Sequence, residues 1–140
     1  MMKLSAFATA LTLVGLLQSP IAVASSSENV ANQPQITYYT LEPDITTNYV
    51  TQGKRLGYIR LQIDLMIRDQ KHLTEIEYHT PLIRDAIIEI VSKQPEAKIK
   101  SLAGREEIRR ACQDQVNRLL LAETRHQPVA ELLFTKFLYQ

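Results

Sequence analysis

The stretch Tyr58–Arg68, YIRLQIDLMIR, decides the fold of this chain. Ile or Leu occupies every second position, and the positions between them are polar apart from one methionine. A period of two with aliphatic residues on one side predicts a long β-strand, with one face on a hydrophobic core and the other in water. The strand is long enough to pair with the region 38–51 across a turn at Gln52-Gly53.

The segment before this strand holds two short extended stretches. Ile36–Leu41, ITYYTL, is rich in β-branched and aromatic residues, which favours a strand. Pro43 interrupts it, and Ile45–Thr51, ITTNYVT, continues the extended pattern, so we count both as one strand. Ser25–Gln35 is polar with one proline and has no apolar period, which predicts a flexible linker.

A helix should follow the long strand. Thr80 is a good N-cap residue, and Pro81 suits the first helical position, where its missing N–H costs nothing. Gln94-Pro95 should end this helix, and Leu73–His79 should form an earlier helical turn. The predicted apolar face comprises Leu82, Ile83, Ala86, Ile87, Ile90 and Val91.

A second helix should run from about Arg105 to Leu121. Its predicted buried stripe comprises Ile108, Cys112, Val116 and Leu119. Its charged residues Arg105, Glu106, Arg109 and Arg110 should lie mostly on the solvent side.

The chain should end in a strand at Val129–Tyr139. A strict period of two places Phe134 and Leu138 on one face, with Leu133, Phe137 and Tyr139 on the other, so we expect both faces to be covered. The fold class predicted is α+β in the order β-β-α-α-β, with a mixed or antiparallel sheet and the helices on one face.

The N-terminus has the pattern of an export signal. Lys3 precedes the apolar run Leu4–Leu17, and Ala22-Val23-Ala24 places small residues where signal peptidase cleaves, between Ala24 and Ser25. The alternative is an uncleaved anchor, since a helix over the 21 residues 4–24 would be about 31 Å long. We therefore divide the chain into a signal peptide or anchor at 1–24, a linker at 25–35 and a periplasmic domain at 36–140.

Charge and cysteine content limit the function. Without residues 1–24 the chain keeps 15 Lys and Arg against 15 Asp and Glu, so its net charge is near zero. Nucleic acid is therefore an improbable partner, because nothing would neutralise the phosphates. Cys112 is the only cysteine, which excludes an internal disulfide.

The motifs of enzymes and cofactor sites are missing from the sequence. It has no Gly-rich phosphate loop, G-x-S-x-G, H-E-x-x-H or C-x-x-C. His72 and His79 are seven residues apart and would share a helix face, and His126 lies in a predicted loop; we interpret all three as solvated rather than metal-binding. Cys112 is interpreted as a core residue. We therefore predict no catalytic, cofactor-binding or metal site and no small-molecule substrate.

An ordered set of segments resembles the flagellar basal-body-associated protein FliL family. The segments are Tyr39–Tyr49 (YTLEPDITTNY), Tyr58–Leu65 (YIRLQIDL), Pro81–Val91 (PLIRDAIIEIV), Gly104–Leu120 (GREEIRRACQDQVNRLL) and Leu133–Gln140 (LFTKFLYQ). The resemblance covers roughly residues 38–140 and rests on the order of the segments more than on any single one of them.

The resemblance implies a stomatin-like (SPFH) α+β domain without catalytic residues. It further implies an oligomer that forms rings around the stator units of the flagellar motor, supports motility and chemotaxis, and contacts stator and basal-body proteins. Typical members keep an N-terminal membrane helix after a short cytoplasmic tail, whereas here three residues precede the apolar run. The competing interpretation is a periplasmic stomatin-like scaffold or adaptor unrelated to flagella.

One helix face is a candidate partner contact. Arg84, Asp85 and Glu89 lie on the polar side of the first predicted helix. A solvated helix face explains these three residues equally well.

Overall fold

The long alternating segment forms the central strand in a computed structural model of the protein, which describes residues 33–53 and 55–140. The predicted signal peptide, its cleavage point between Ala24 and Ser25, and most of the predicted linker lie outside the described residues. The strands are β1 (Thr37–Thr40), β2 (Ile45–Tyr49), β3 (Gly57–Ile67) and β4 (Val129–Tyr139). The helices are α1 (Leu73–Tyr78), α2 (Thr80–Ser92), α3 (Glu96–Lys100) and α4 (Leu102–Thr124), and a 3-10 turn, Gln70–His72, precedes α1.

All pairings in the described sheet are antiparallel. β1 and β2 follow each other along one edge of β3, with Thr37 opposite Ile67 and Tyr49 opposite Gly57. β4 pairs with the other edge of β3 along its whole length. The pairing predicted between the long strand and the region 38–51 is confirmed. At the end of the β2–β3 pairing, only glycine fits position 57, because a Cβ there would lie 2.3 Å from the Tyr49 ring.

The core lies between one face of this sheet and the helices. Every aliphatic side chain at the odd positions of β3 is at most 1% exposed. α2 and α4 pack on each other, α2 packs on β2, and α4 packs on β4. Burial of each such aliphatic side chain stabilises the fold by roughly 1.5–3 kcal/mol. The predicted α+β class with an antiparallel sheet and helices on one face is confirmed, although the first predicted strand is divided into β1 and β2.

Two irregularities in β4 overturn the predicted faces of that strand. The register with β3 shifts between Gln62 and Ile63 and again between Met66 and Ile67. Ile63 therefore pairs with Phe134 while Leu61 pairs with Phe137, which leaves Thr135 as an extra residue. Since each extra residue reverses the alternation, Phe134 and Phe137 share the core face, whereas Leu133 and Leu138 lie on the outer face.

The junction between α1 and α2 differs from the prediction in its cap. α2 begins at Thr80 with His79 in the N-cap position, so Thr80 is not the N-cap. The Thr80 hydroxyl instead donates to the carbonyl of Ile76 in the preceding helix, and it also lies 3.0 Å from the Tyr39 hydroxyl. The Thr80 side chain thus satisfies a backbone carbonyl near the end of α1 rather than a backbone N–H at the start of α2.

α4 is longer than predicted at both ends. Ser101 caps its start by accepting from the Gly104 N–H, and the helix ends at Thr124, where the C-cap residue Arg125 has a left-handed φ of 66°. The last buried residue of its stripe is Leu120, four positions after Val116, rather than Leu119, which is half-buried. The short helix α3 was not predicted, because five residues are too few for an apolar period to emerge.

No helix within residues 33–53 and 55–140 combines the length and apolar character needed to cross a membrane.

Candidate interaction surface

Polar side chains of α4 protect one half of the outer edge of β4. Gln113 accepts from the Leu132 N–H at 3.1 Å and donates to the Ala130 carbonyl at 3.3 Å. Asn117 donates to the Val129 carbonyl at 3.0 Å, and Arg109 donates to the Leu132 carbonyl at 3.0 Å. These three side chains recur every four residues, so they form one stripe of the helix. The stripe occupies backbone groups that an approaching strand would otherwise bind.

An ion network holds Arg109 in place. Its guanidinium contacts the Glu106 carboxylate at 2.7 Å and 2.8 Å, and Arg110 contacts the same carboxylate at 2.8 Å. The hydrogen bonds from Arg109 and then Arg110 lower the pKa of Glu106 to about 2. The Arg109 side chain is only 19% exposed, so its predicted place on the solvent side of the helix is wrong.

The other half of the β4 edge is open among the described residues. Tyr58 and Gln140 exchange both backbone hydrogen bonds at 3.0 Å. Because hydrogen-bonded and non-hydrogen-bonded pairs alternate along an antiparallel ladder, the N–H and carbonyl of the neighbouring Tyr139 point away from β3. In this half Arg105 lies over the rings of Phe137 and Tyr139, at 5.0 Å and 5.6 Å from their centroids. Arg105 thereby covers side chains of the strand but, in the described structure, donates to none of its carbonyls.

The outer face of the sheet carries exposed apolar side chains next to this open edge. Leu138 is 58% exposed and Tyr58 is 47% exposed. A shallow groove of about 450 Å³ runs across this corner. Its lining residues are Thr46, Tyr58, Arg60, Leu138, Tyr139 and Gln140.

A small charge cluster borders the groove. The Asp44 carboxylate accepts from Arg60 Nε and from Lys136 Nζ, both at 2.8 Å. The hydrogen bond from Lys136 is the largest cause that lowers the pKa of Asp44. The cluster links the loop before β2 to the outer faces of β3 and β4, and so fixes the rim of the groove.

The predicted contact residues of α2 are partly engaged within the chain. Arg84 Nη1 donates to the Pro43 carbonyl at 2.6 Å, which ties the helix to the loop before β2. Glu89 pairs with Lys93 at 2.6 Å, and this hydrogen bond lowers the pKa of Glu89. Asp85 is exposed. A contact through Arg84, Asp85 and Glu89 stays a prediction, and the groove on the sheet is a second candidate that the sequence reasoning missed.

Cys112 and the histidines occupy different environments. Cys112 lies fully buried on the apolar face of α4, where burial raises the pKa of its thiol to about 12, as suits a core residue. His72 lies in the 3-10 turn and His79 at the C-cap of α1, and the His72 ring meets that of His126, with 4.7 Å between ring centroids. His72 is also only 14% exposed, so its interpretation as solvated is wrong.

The described residues form a small α+β domain with a groove on one sheet face and a half-open strand edge. Residues 38–140 match the family model of the flagellar basal body-associated protein FliL. A flagellar protein FliL from Aquifex aeolicus (strain VF5) is 31% identical over 102 residues, which cover 73% of this chain and 60% of that protein. The chain therefore belongs to the FliL family of flagellar basal body-associated proteins, which confirms the resemblance seen in the sequence.

Proposed function

We propose that the protein is a non-enzymatic accessory component of the bacterial flagellar motor that assembles with copies of itself around stator units and stabilises them. It acts in the periplasm, either free or held at the inner membrane beside the basal body. Family membership supports the link to the flagellum. The stator contact, the ring and the location are the parts that the proposal adds.

The half-open edge of β4 and the groove beside it carry the proposal structurally. An exposed strand edge pairs readily with another chain, and exposed apolar residues beside it add buried area to such a contact. The groove places Leu138 and Tyr58 at the same corner as the outward-directed backbone of Tyr139. One surface therefore combines main-chain hydrogen-bonding groups with apolar side chains.

Charge should contribute little to this association. The whole chain carries a formal net charge of +1, so long-range attraction between copies or toward a partner is weak. The ion pairs around the groove are already satisfied within the chain, as Asp44 holds both Arg60 and Lys136. Binding should therefore depend on packing and be only mildly sensitive to salt.

The test is a clean deletion complemented with two matched variants. Leu138→Glu puts a charge on the groove, and Leu102→Glu puts the same charge on a residue that is 81% exposed at the start of α4. We expect the deletion and Leu138→Glu to reduce swimming in viscous medium and stator occupancy at the motor, while filaments still assemble. Leu102→Glu should behave like the wild type.

The motor role and the groove contact each have a contradicting result. Unchanged motility and stator occupancy at high load in the deletion strain, with no redundant paralogue present, would refute the motor role and favour the scaffold unrelated to flagella. Equal effects of Leu138→Glu and Leu102→Glu, with both proteins folded and present at wild-type levels, would refute the groove as the contact surface.

A further inference from the structure

Two histidines and a glutamate from separate segments meet at one end of the sheet, where the proposed function uses none of them. His72 closes the 3-10 turn, Glu75 lies in α1, and His126 follows the end of α4. His72 Nδ1 lies 3.0 Å from Glu75 Oε2, and His126 Nδ1 lies 3.7 Å from the same oxygen. One potential ligand atom from each residue lies within 4.8 Å of the other two.

We propose that His72, Glu75 and His126 form a binding site for a divalent transition-metal ion of the Zn²⁺ class. Imidazole nitrogen and carboxylate oxygen are ligands that suit such ions, and two histidines with one glutamate leave a fourth position open for water. Bonds of about 2.0–2.2 Å in a tetrahedral site place ligand atoms roughly 3.3 Å apart. The two separations from the Glu75 oxygen, 3.0 Å and 3.7 Å, lie on either side of that value, and the two histidine nitrogens lie within 4.8 Å of each other.

Two of the ligands are held in position and the third can adjust. The His72 ring is 14% exposed, and its Nδ1 lies 3.0 Å from the carboxylate of Glu75 in α1, a hydrogen bond that the ion would replace. His126 is 51% exposed and lies in the connection that begins at the left-handed residue Arg125. A small movement of the exposed ring is therefore enough to close the remaining distance around an ion.

The surrounding charges favour ions that bind imidazole strongly. The cleft beside the cluster is lined by the cations Arg68, Lys71 and Arg125 and by one acid, Asp69. Asp69 pairs with Lys71 at 2.9 Å. The arginines oppose any cation, so a hard ion such as Mg²⁺ or Ca²⁺, which depends on charged oxygen ligands, should bind poorly. Ions that form strong bonds to nitrogen should be selected.

A bound ion would join the segments that close this end of the sheet. The Arg68 N–H donates to the Pro128 carbonyl at 2.9 Å, so the segments after β3 and before β4 are already adjacent. The Gln70 N–H donates to the Gln35 carbonyl at 2.9 Å, which brings in the start of the described chain. Because the ion binds the folded arrangement, it should raise the thermal stability of the protein.

The experiment titrates the purified full chain, free of affinity tags, with Co²⁺ and then displaces it with Zn²⁺. Visible absorption reports tetrahedral Co²⁺, and calorimetry gives the Zn²⁺ stoichiometry. Glu75→Gln and His126→Ala each remove a ligand, while His79→Ala removes the histidine outside the cluster. Circular dichroism checks that every variant is folded.

We expect one Zn²⁺ per chain, no binding of Mg²⁺, and a rise in melting temperature with Zn²⁺. Glu75→Gln and His126→Ala should each weaken binding at least about tenfold, and His79→Ala should bind like the wild type. The proposal is overturned by a wild-type chain that binds neither Co²⁺ nor Zn²⁺, by His79→Ala losing as much affinity as His126→Ala, or by both ligand variants keeping wild-type affinity. Because binding is measured on the isolated chain, none of these results depends on the motor role.

Discussion

Replacing Gln113 by leucine should destabilise the domain through the edge of β4. The side chain satisfies two backbone groups of that strand, the Leu132 N–H and the Ala130 carbonyl. A typical hydrogen bond contributes a net 0.5–1.5 kcal/mol, so loss of both should cost about 2 kcal/mol. Leucine and glutamine have similar helix propensities, so α4 itself should be unaffected.

Urea unfolding followed by circular dichroism measures this cost. With an m value of about 2 kcal/mol per molar urea, a loss of about 2 kcal/mol lowers the midpoint by roughly 1 M. Gln115→Leu is the matched control, because Gln115 lies on the same helix and makes no side-chain hydrogen bond to the described residues. Its effect should stay within about 0.5 kcal/mol.

The same variant should also expose the protected half of the strand edge. Without Gln113, the Leu132 N–H is free to pair with another chain, so Gln113→Leu should self-associate more than the control in analytical ultracentrifugation. A midpoint equal to that of Gln115→Leu would show that the two hydrogen bonds contribute nothing measurable, and the protective role assigned to the α4 stripe would then be wrong.

Three further outcomes follow from the structure. Cys112 should resist thiol reagents in the folded protein at pH 8 and react after unfolding, and Cys112→Ser should cost about 1–3 kcal/mol by urea unfolding; rapid labelling of the native protein would contradict its place in the core. Deletion of Leu133–Gln140 should abolish cooperative unfolding, because β3 loses its partner on one edge from Ile59 to Asp64. A truncated protein with the wild-type unfolding transition would show that this part of β4 is dispensable. Arg109 and Arg110 lower the pKa of Glu106 to about 2, so this carboxylate stabilises the fold above its unfolded pKa near 4.5, and the contribution disappears as the pH falls toward 2. The difference in unfolding free energy between wild type and Glu106→Gln should therefore shrink between pH 4.5 and pH 2. A constant difference would contradict the ion network.

The elements with strong periodicity could be predicted from the sequence because their pattern is local. The alternation in Tyr58–Arg68 identified the central strand, and β4 has the predicted bounds Val129–Tyr139. The faces of β4 could not be predicted in this way. Extra residues in a strand reverse the alternation, and whether one is inserted depends on pairing with β3 rather than on β4 itself.

The histidine cluster was beyond sequence reasoning for a similar reason. His72 and His79 are close in sequence, whereas His72 and His126 become neighbours only because the end of β3 pairs with the start of β4. A sequence pattern reports which residues share a helix face, but it does not report which distant loops meet. The groove at Leu138 was missed because the face of Leu138 depends on the same pairing.

The α4 stripe does contain a signal that a sequence can show. Four long polar residues recur every four positions along α4: Arg105, Arg109, Gln113 and Asn117. Each of them directly follows a buried residue of the helix, namely Gly104, Ile108, Cys112 and Val116. Long polar side chains in such a row beside an apolar stripe can reach the backbone of a neighbouring strand edge. Three of them hydrogen-bond to β4, and Arg105 lies over its aromatic rings instead. This change of contact along the row is what divides the strand edge: where the helix donates to the backbone the edge is closed, and where it covers only side chains the backbone stays available for another chain.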